Sequence, residues 1–202
     1  MKKIIGIFPL LASAVWADET ITALGKTFSV PVGTDWKASA EVLELVVKHE
    51  PGKPRRPKQF ALLEEGPYSS FTLELDVKRN GKSLILVFAH QDDDHFNYAH
   101  ISVDDPAKQN VHNGVFHVFG GDRVRISPLE GGPGLLPAAE WTPVKLVWDG
   151  KTGEVVCYAN GKTSGAMRAV DLSLKYGRVG MGSFNETGSF RNLKITGTPV
   201  AK

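Results

Sequence analysis

The chain has 202 residues, 42% of them hydrophobic, with 24 lysines and arginines against 22 aspartates and glutamates and a single cysteine. That length suits one domain with a sizeable core, and the near balance of charge argues against a surface built to hold a polyanion such as nucleic acid. The lone Cys157 excludes an internal disulfide and any cysteine-based zinc site.

Residues 1–17 have the three parts of an export leader. Lys2 and Lys3 form a positive start, Ile4 to Leu11 an apolar stretch, and Ala14-Val15-Trp16-Ala17 a cleavage site before Asp18. The other reading of this stretch is a buried N-terminal strand. Removing the leader takes two lysines with it and leaves basic and acidic residues balanced at 22 each. No later run is long and apolar enough for a membrane span. The expectation is an exported protein, periplasmic or extracellular, with one domain over residues 18–202.

The elements that follow are strand after strand. The spacing predicts strands at 41–47 and 60–63, and then Phe71-Thr72-Leu73-Glu74-Leu75-Asp76-Val77-Lys78, whose apolar residues alternate with polar ones. Asn80-Gly81 is a two-residue hairpin turn, followed by the apolar run Leu84 to Ala89. Further strands are expected at 96–103, 115–119, 123–127, 143–148, 154–159, 177–184 and 189–196. Asp149-Gly150 and Asn160-Gly161 mark turns between them. Cys157 alternates with Val155 and Ala159 and reads as a small core residue. Many short strands without crossover helices predict an all-β, antiparallel sandwich of jelly-roll type.

Two loops interrupt the pattern. Residues 49–58 combine three prolines with Lys53, Arg55, Arg56 and Lys58. They read as a stiff solvated loop or as a rim contacting acidic sugars or a neighbouring protein. Residues 129–137, rich in glycine and proline, read as an irregular loop over one end of a sheet.

Five of the six histidines fall between His90 and His117. Alternation places Phe96, Tyr98, His100 and Ser102 on one face of their strand and Asn97, Ala99, Ile101 and Val103 on the other. The Tyr98/His100 face is taken as the concave one, with His117 on a nearby strand and Asn113 and Arg123 supplying polar contacts. No pair of these histidines has a tight metal-ligand spacing. The consecutive acids Asp92, Asp93 and Asp94 are the candidate oxygen ligands for Ca²⁺, set against a plain solvated turn.

Three stretches carry a family resemblance: Phe71 to Val77, Leu84 to Phe88 continuing through Phe96 to Ser102, and Gly177 to Phe184 with Phe190 to Ile195. The second is similar to the F-Y-Y-x-H-L-S signature of secreted bacterial members of the concanavalin A-like lectin and glucanase superfamily. The third is similar to the closing strand pair of laminin G-like and 3-keto-disaccharide hydrolase-like domains. The likeness spans roughly residues 28–197. It implies a jelly-roll fold, carbohydrate as the partner, and a calcium ion at the sandwich rim as in laminin G-like modules. Family 16 glucanases carry E-x-D-x-x-E, and here Glu74-Leu75-Asp76-Val77-Lys78-Arg79 has Arg79 in place of the second carboxylate. A retaining pair needs carboxyls about 5–5.5 Å apart, which this strand does not supply. The Gly-Asn-Ser-Gly run of the 3-keto-disaccharide hydrolases is missing as well.

Three site readings stand at this point. The first is a polar ladder satisfied by its own members and water. In the second, His90, Tyr98, His100, His117, Asn113 and Arg123 bind a glycan, Tyr98 stacking on the sugar. In the third, His90 or His100 is a general base with Tyr98 as acid, in a lyase or glycoside hydrolase-like enzyme. A structural or adhesion module is the alternative outside carbohydrate chemistry.

Overall fold

The computed structural model describes residues 18–50, 52–103, 111–129 and 135–200. The leader at 1–17 and much of the 129–137 loop lie outside the described residues. In chain order the strands are β1 (Glu19–Ala23), β2 (Lys26–Val30), β3 (Trp36–Ala38), β4 (Val42–Leu45), β5 (Gln59–Leu63), β6 (Tyr68–Arg79), β7 (Ser83–Asp92) and β8 (His95–Ser102). They continue with β9 (Gly114–Phe119), β10 (Asp122–Arg125), β11 (Thr142–Asp149), β12 (Glu154–Ala159), β13 (Arg168–Val170), β14 (Arg178–Ser183) and β15 (Gly188–Pro199). Among the described residues they form two antiparallel sheets. One has eight strands in the order β1-β2-β5-β14-β7-β8-β9-β10, the other seven in the order β13-β12-β11-β6-β15-β4-β3. This is the expected sandwich.

The alternating residues of β6 explain the seven-stranded sheet. Phe71, Leu73, Leu75 and Val77 turn inward and are at most 3% exposed, while Glu74 stays in solvent. Trp148 on β11 closes the middle of the core, its ring 5.8 Å from Phe71 and 5.7 Å from Phe88 of the facing sheet. Cys157 is a free, buried thiol in this core, and burial pushes its pKa up to about 12. Four short strands lay outside the sequence expectations: β1, β2, β3 and β13. The β1–β2 hairpin turns at Leu24-Gly25, both left-handed, with leucine where asparagine is usual, so its turn carries no sequence signal.

The eight-stranded sheet is apolar on both faces. Its inner face adds Phe28, Leu86, Phe88 and Ile101 to the main core. Its outer face holds a second cluster of Phe60, Leu62, Ile85, Val87, Phe96, Tyr98, Phe116 and Val118, none above 4% exposed. Glycines make room for it. A side chain at Gly180 or Gly182 of β14 would collide with the backbone and side chains of Ala61–Leu62 or with Gln59–Phe60 on β5. Such burial stabilises by about 1.5–3 kcal/mol per large side chain, so this face requires a cover.

The cover is the proline- and arginine-rich segment before β5. His49 Nε2 meets Asp35 at 2.9 Å and the His49 amide donates to Gln59 Oε1 at 2.9 Å, which fixes its start. Arg56 and Pro57 are buried, and Arg56 Nη2 pairs with Asp94 Oδ1 at 2.7 Å in the β7–β8 turn. Pro54 and Arg56 also crowd Gly121 in the β9–β10 turn. The loop is therefore solvated along most of its described residues, as expected, and is also a strap anchored through the buried Arg56 and Pro57.

On the inner side, a buried polar group ties the sheet to the segment between β13 and β14. Asp171 Oδ2 accepts from Asn97 Nδ2 at 2.7 Å and lies 3.1 Å from His117 Nδ1, and its Oδ1 accepts from Ser173 Oγ at 2.6 Å. Burial raises the Asp171 pKa, but the bonds from His117, Ser173 and Asn97 outweigh it and hold the carboxyl well below the usual range. Removing this acceptor with Asp171→Ala leaves the Asn97 amide donor unmet on a fully buried side chain, while His117 Nδ1 keeps Asn97 Oδ1 at 2.7 Å. The substitution should lower the unfolding free energy by about 2 kcal/mol in a denaturant titration; a change under about 0.5 kcal/mol would show the tie to be dispensable.

Candidate functional site

Strand register decides which of the expected site residues meet. His100 on β8 pairs with Ile85 of β7 and Gly114 of β9, and Tyr98 pairs with Val87 and Phe116. All project from the outer face. Because Gly114 has no side chain, the Arg125 guanidinium occupies the space beside it, where a Cβ would collide with it. From there Arg125 donates to the carbonyls of His112 at 3.0 Å, Asn113 at 2.8 Å and Pro128 at 3.0 Å. Arg125 thus builds the turn before β9, which brings Val111 and His112 against His100.

The resulting pocket, of about 240 Å³, lies at the Ser83–His100 end of the sheet. His100 and Arg123 form its floor with Phe184, which follows β14; Arg55 enters from the strap, His112 from the turn, and Lys82 and Glu186 from two hairpin loops. His100 Nδ1 lies 2.6 Å from the Val111 carbonyl, which only accepts, so Nδ1 carries the proton and Nε2 offers a lone pair. Nε2 has no hydrogen-bond partner among the described residues. Burial drives the His100 pKa down to about 3, with neighbouring His112 adding to the effect, so the ring is neutral. Phe184 lies parallel to His100, with the guanidiniums of Arg123 and Arg55 4.6 Å and 5.3 Å from its ring centre.

The other expected residues lie elsewhere. Tyr98 is fully buried, stacked on Phe116 at 5.1 Å, and its hydroxyl accepts from Arg123 Nη1 at 3.2 Å. Burial pushes its pKa up to about 12. The ring expected to stack on a sugar belongs instead to the covered cluster. Asn113 is 3% exposed and serves the backbone, accepting from the Ser102 amide at 2.9 Å and donating to the Val103 carbonyl at 3.2 Å. His90 shares the outer face but sits beside Phe60 and Phe96, about 13 Å of strand away from His100. His117 turns to the inner face and the Asp171 group. The three histidines therefore do not converge.

Among the acids, Asp92 accepts from the Asp94 amide at 2.8 Å and from His95 Nδ1 at 2.8 Å, and Asp94 is taken by Arg56. Among the described residues no hydrogen bond or ion pair draws Asp93 into this arrangement. No group of three or more histidine, cysteine or carboxylate side chains is placed to hold a metal among the described residues. Arg55, His112, Phe184 and Glu186 were not singled out from sequence. Arg55 had a signal in the basic strap, and His112 in its closeness to Asn113.

The architecture settles the fold. The chain has the concanavalin A-like jelly-roll fold. Solved structures with this fold include the carbohydrate-binding module CBM66 from Bacillus subtilis, 17% identical with a TM-score of 0.59, covering 79% of this chain and 89% of that one. A mutant of the GH43 protein BlXynB from Bacillus licheniformis is 12% identical with a TM-score of 0.57, over 89% of this chain and 38% of that one. The exoplasmic/lumenal domain of VIP36, in a Ca²⁺/Man3GlcNAc-bound form, is 10% identical with a TM-score of 0.51 over 83% of each chain. No protein-family profile matches the sequence, and no curated protein matches it. At such identities the jelly roll carries the likeness, and function has to come from the site.

Neutral buried imidazoles have a consequence for stability. Burial lowers the His90 pKa to about 4, with nearby Arg178 adding to it and Asp92 and Asp18 opposing. Between pH 6.5 and 4 both His90 and His100 stay neutral in the fold while their unfolded counterparts take up protons. The contribution of the two histidines should therefore be constant above about pH 7, and stability should fall by roughly 1.4 kcal/mol per pH unit for each histidine below pH 6. Denaturant titrations at pH 7.5, 6, 5.5 and 5 measure this slope, and His90→Leu should remove about half of it. A flat profile would mean the rings are not held neutral.

Proposed function

We propose that this is an exported carbohydrate-binding domain that receives a sugar residue in the pocket between His100, Arg123, Arg55 and Phe184. The observation that carries the reading is their convergence. A concave site of this size has an aromatic ring at its base, a neutral imidazole acceptor and two guanidiniums, which suits the alternating hydroxyls and apolar face of a pyranose. Two solved structures with the same fold are a carbohydrate-binding module and a domain bound to Man3GlcNAc, which supports sugar as the ligand class.

Binding is better supported than turnover. A base–acid pair of His100 and Tyr98 would need a phenol that titrates near neutrality and reaches substrate, whereas Tyr98 is sealed under Phe116 and Arg123 with its pKa pushed up to about 12. Among the described residues Glu186 is the one carboxylate lining the pocket, so no carboxylate pair of theirs spans it. Export rests on the leader pattern at 1–17. N-terminal sequencing of the mature protein should find Asp18 first, and an intact Met1 would remove export.

Screening the protein against an immobilised glycan panel should find at least one ligand. Arg123→Gln should weaken its binding about 10- to 100-fold, as expected for losing a charged hydrogen bond. The thermal midpoint, followed in parallel, separates this from misfolding. Unchanged affinity in a folded Arg123→Gln protein would move the sugar to another surface, and no binding across the panel would remove the reading.

A further inference from the structure

We propose that the sugar held in this pocket is anionic, its carboxylate or sulfate lying between Arg55 and Arg123 while one of its hydroxyls donates to His100 Nε2. The inference rests on the pocket being the sugar site. What carries it is the convergence of two guanidiniums, Arg55 and Arg123, on one ring inside the pocket. Arg56, Arg178 and Arg191 each pair with a carboxylate, that of Asp94, Glu64 and Asp76 respectively. Arg55 and Arg123 meet no carboxylate among the described residues, although both reach the same ring, Phe184. Arg123 gives one N–H to the Tyr98 hydroxyl, a neutral acceptor that leaves the positive charge uncompensated.

Glu186 lines the pocket, but its charge is directed elsewhere. Its carboxylate lies against Gly81, where a Cβ would collide with it, and it acts on Arg79. Among the described residues, the side chains that line the mouth therefore leave it positive. Two guanidinium forks around one aromatic ring match the paired oxygens of a carboxylate or a sulfate better than a neutral hydroxyl pair.

His100 decides that the anion is part of a sugar rather than a free ion. Its Nδ1–H is committed to the Val111 carbonyl, so its second nitrogen is an acceptor without a partner in a side chain 3% exposed. A third cationic donor would suit inorganic sulfate or phosphate; a lone pair does not. A polyol bearing one acidic group satisfies both halves of the site: the anion meets the arginines and a hydroxyl meets the imidazole.

Calorimetry with the intact protein tests this with four probes. They are an oligogalacturonate, the same oligosaccharide with its carboxyls reduced to alcohols, a sulfated galactose oligosaccharide and inorganic sulfate. The acidic oligosaccharides should bind at least 10-fold more tightly than the reduced one, with affinity falling as salt rises from 50 to 300 mM. Arg55→Gln, a change at an exposed strap position, should remove most of that preference while leaving the thermal midpoint unchanged. Oligogalacturonate against the sulfated oligosaccharide separates the two sources of charge.

Equal binding of acidic and reduced sugars, lost in Phe184→Ala, would overturn the charge inference and leave the sugar site standing. Inorganic sulfate binding as tightly as the sulfated sugar would overturn the role of His100. Binding of acidic sugar unaffected by Arg55→Gln and Arg123→Gln would overturn the placement, and failure of every sugar to bind would remove both readings.

Discussion

The eight-stranded sheet has no polar face, and most of the molecule's features follow from that constraint. In a two-layer sandwich one face of each sheet meets the core and the other meets water. Here Phe60, Ile85, Val87, Phe96, Tyr98 and Phe116 form a second apolar layer on the side that should be wet. Burying that layer takes additional chain, and the 49–58 segment supplies it, with Arg56 buried and paired to Asp94 in the turn beyond. Arginines suit this position. Their flat guanidiniums pack on rings as an apolar cover would, and their N–H groups still reach polar partners. Phe116 illustrates this, with Arg123 and Arg125 each 5.6 Å from its centre.

The pocket lies at the edge of that cover. It opens beyond Phe184, where the aromatic layer gives way to His100 and the 111–113 turn. The site therefore combines strand residues with loop residues. His100 and Arg123 are fixed by the sheet, while Arg55, His112 and Glu186 arrive on connections. That division is common where a rigid scaffold presents a binding site, because loops change without disturbing the core.

Sequence periodicity located this face but did not reveal that it was covered. Alternation correctly put Phe96, Tyr98 and His100 on one side of β8, and Asn97, Ala99 and Ile101 on the other. The same rule separates Phe116 from His117, so the inward turn of His117 was present in the pattern. The partner it turns to, Asp171, is remote in sequence and depends on strand register that no local signal sets. The cover had one readable sign: Leu84 to Ala89 is continuously apolar, as strands buried on both faces are. That continuity extends the core to both faces of the sheet and makes Tyr98 one of its residues. Arg125 and Gly114 were not legible at all, since a guanidinium filling the place of an absent side chain leaves no periodicity.

Cation–π contacts explain how the pocket keeps its charge. A carboxylate partner would hold Arg123 in place, but it would also neutralise it and make any anion compete with an ion pair already formed. Phe184 and Phe116 hold it by their ring faces, and the Tyr98 hydroxyl takes one N–H without cancelling the charge. The cost of ordering the side chain is thus met within the fold, which leaves its field directed outward for a ligand. Burial under the same rings keeps His100 neutral, with His112 and then the charges of Arg123 and Arg125 adding to the effect. One cluster of rings therefore sets both halves of the site: fixed cations at the mouth and an uncharged acceptor at the floor.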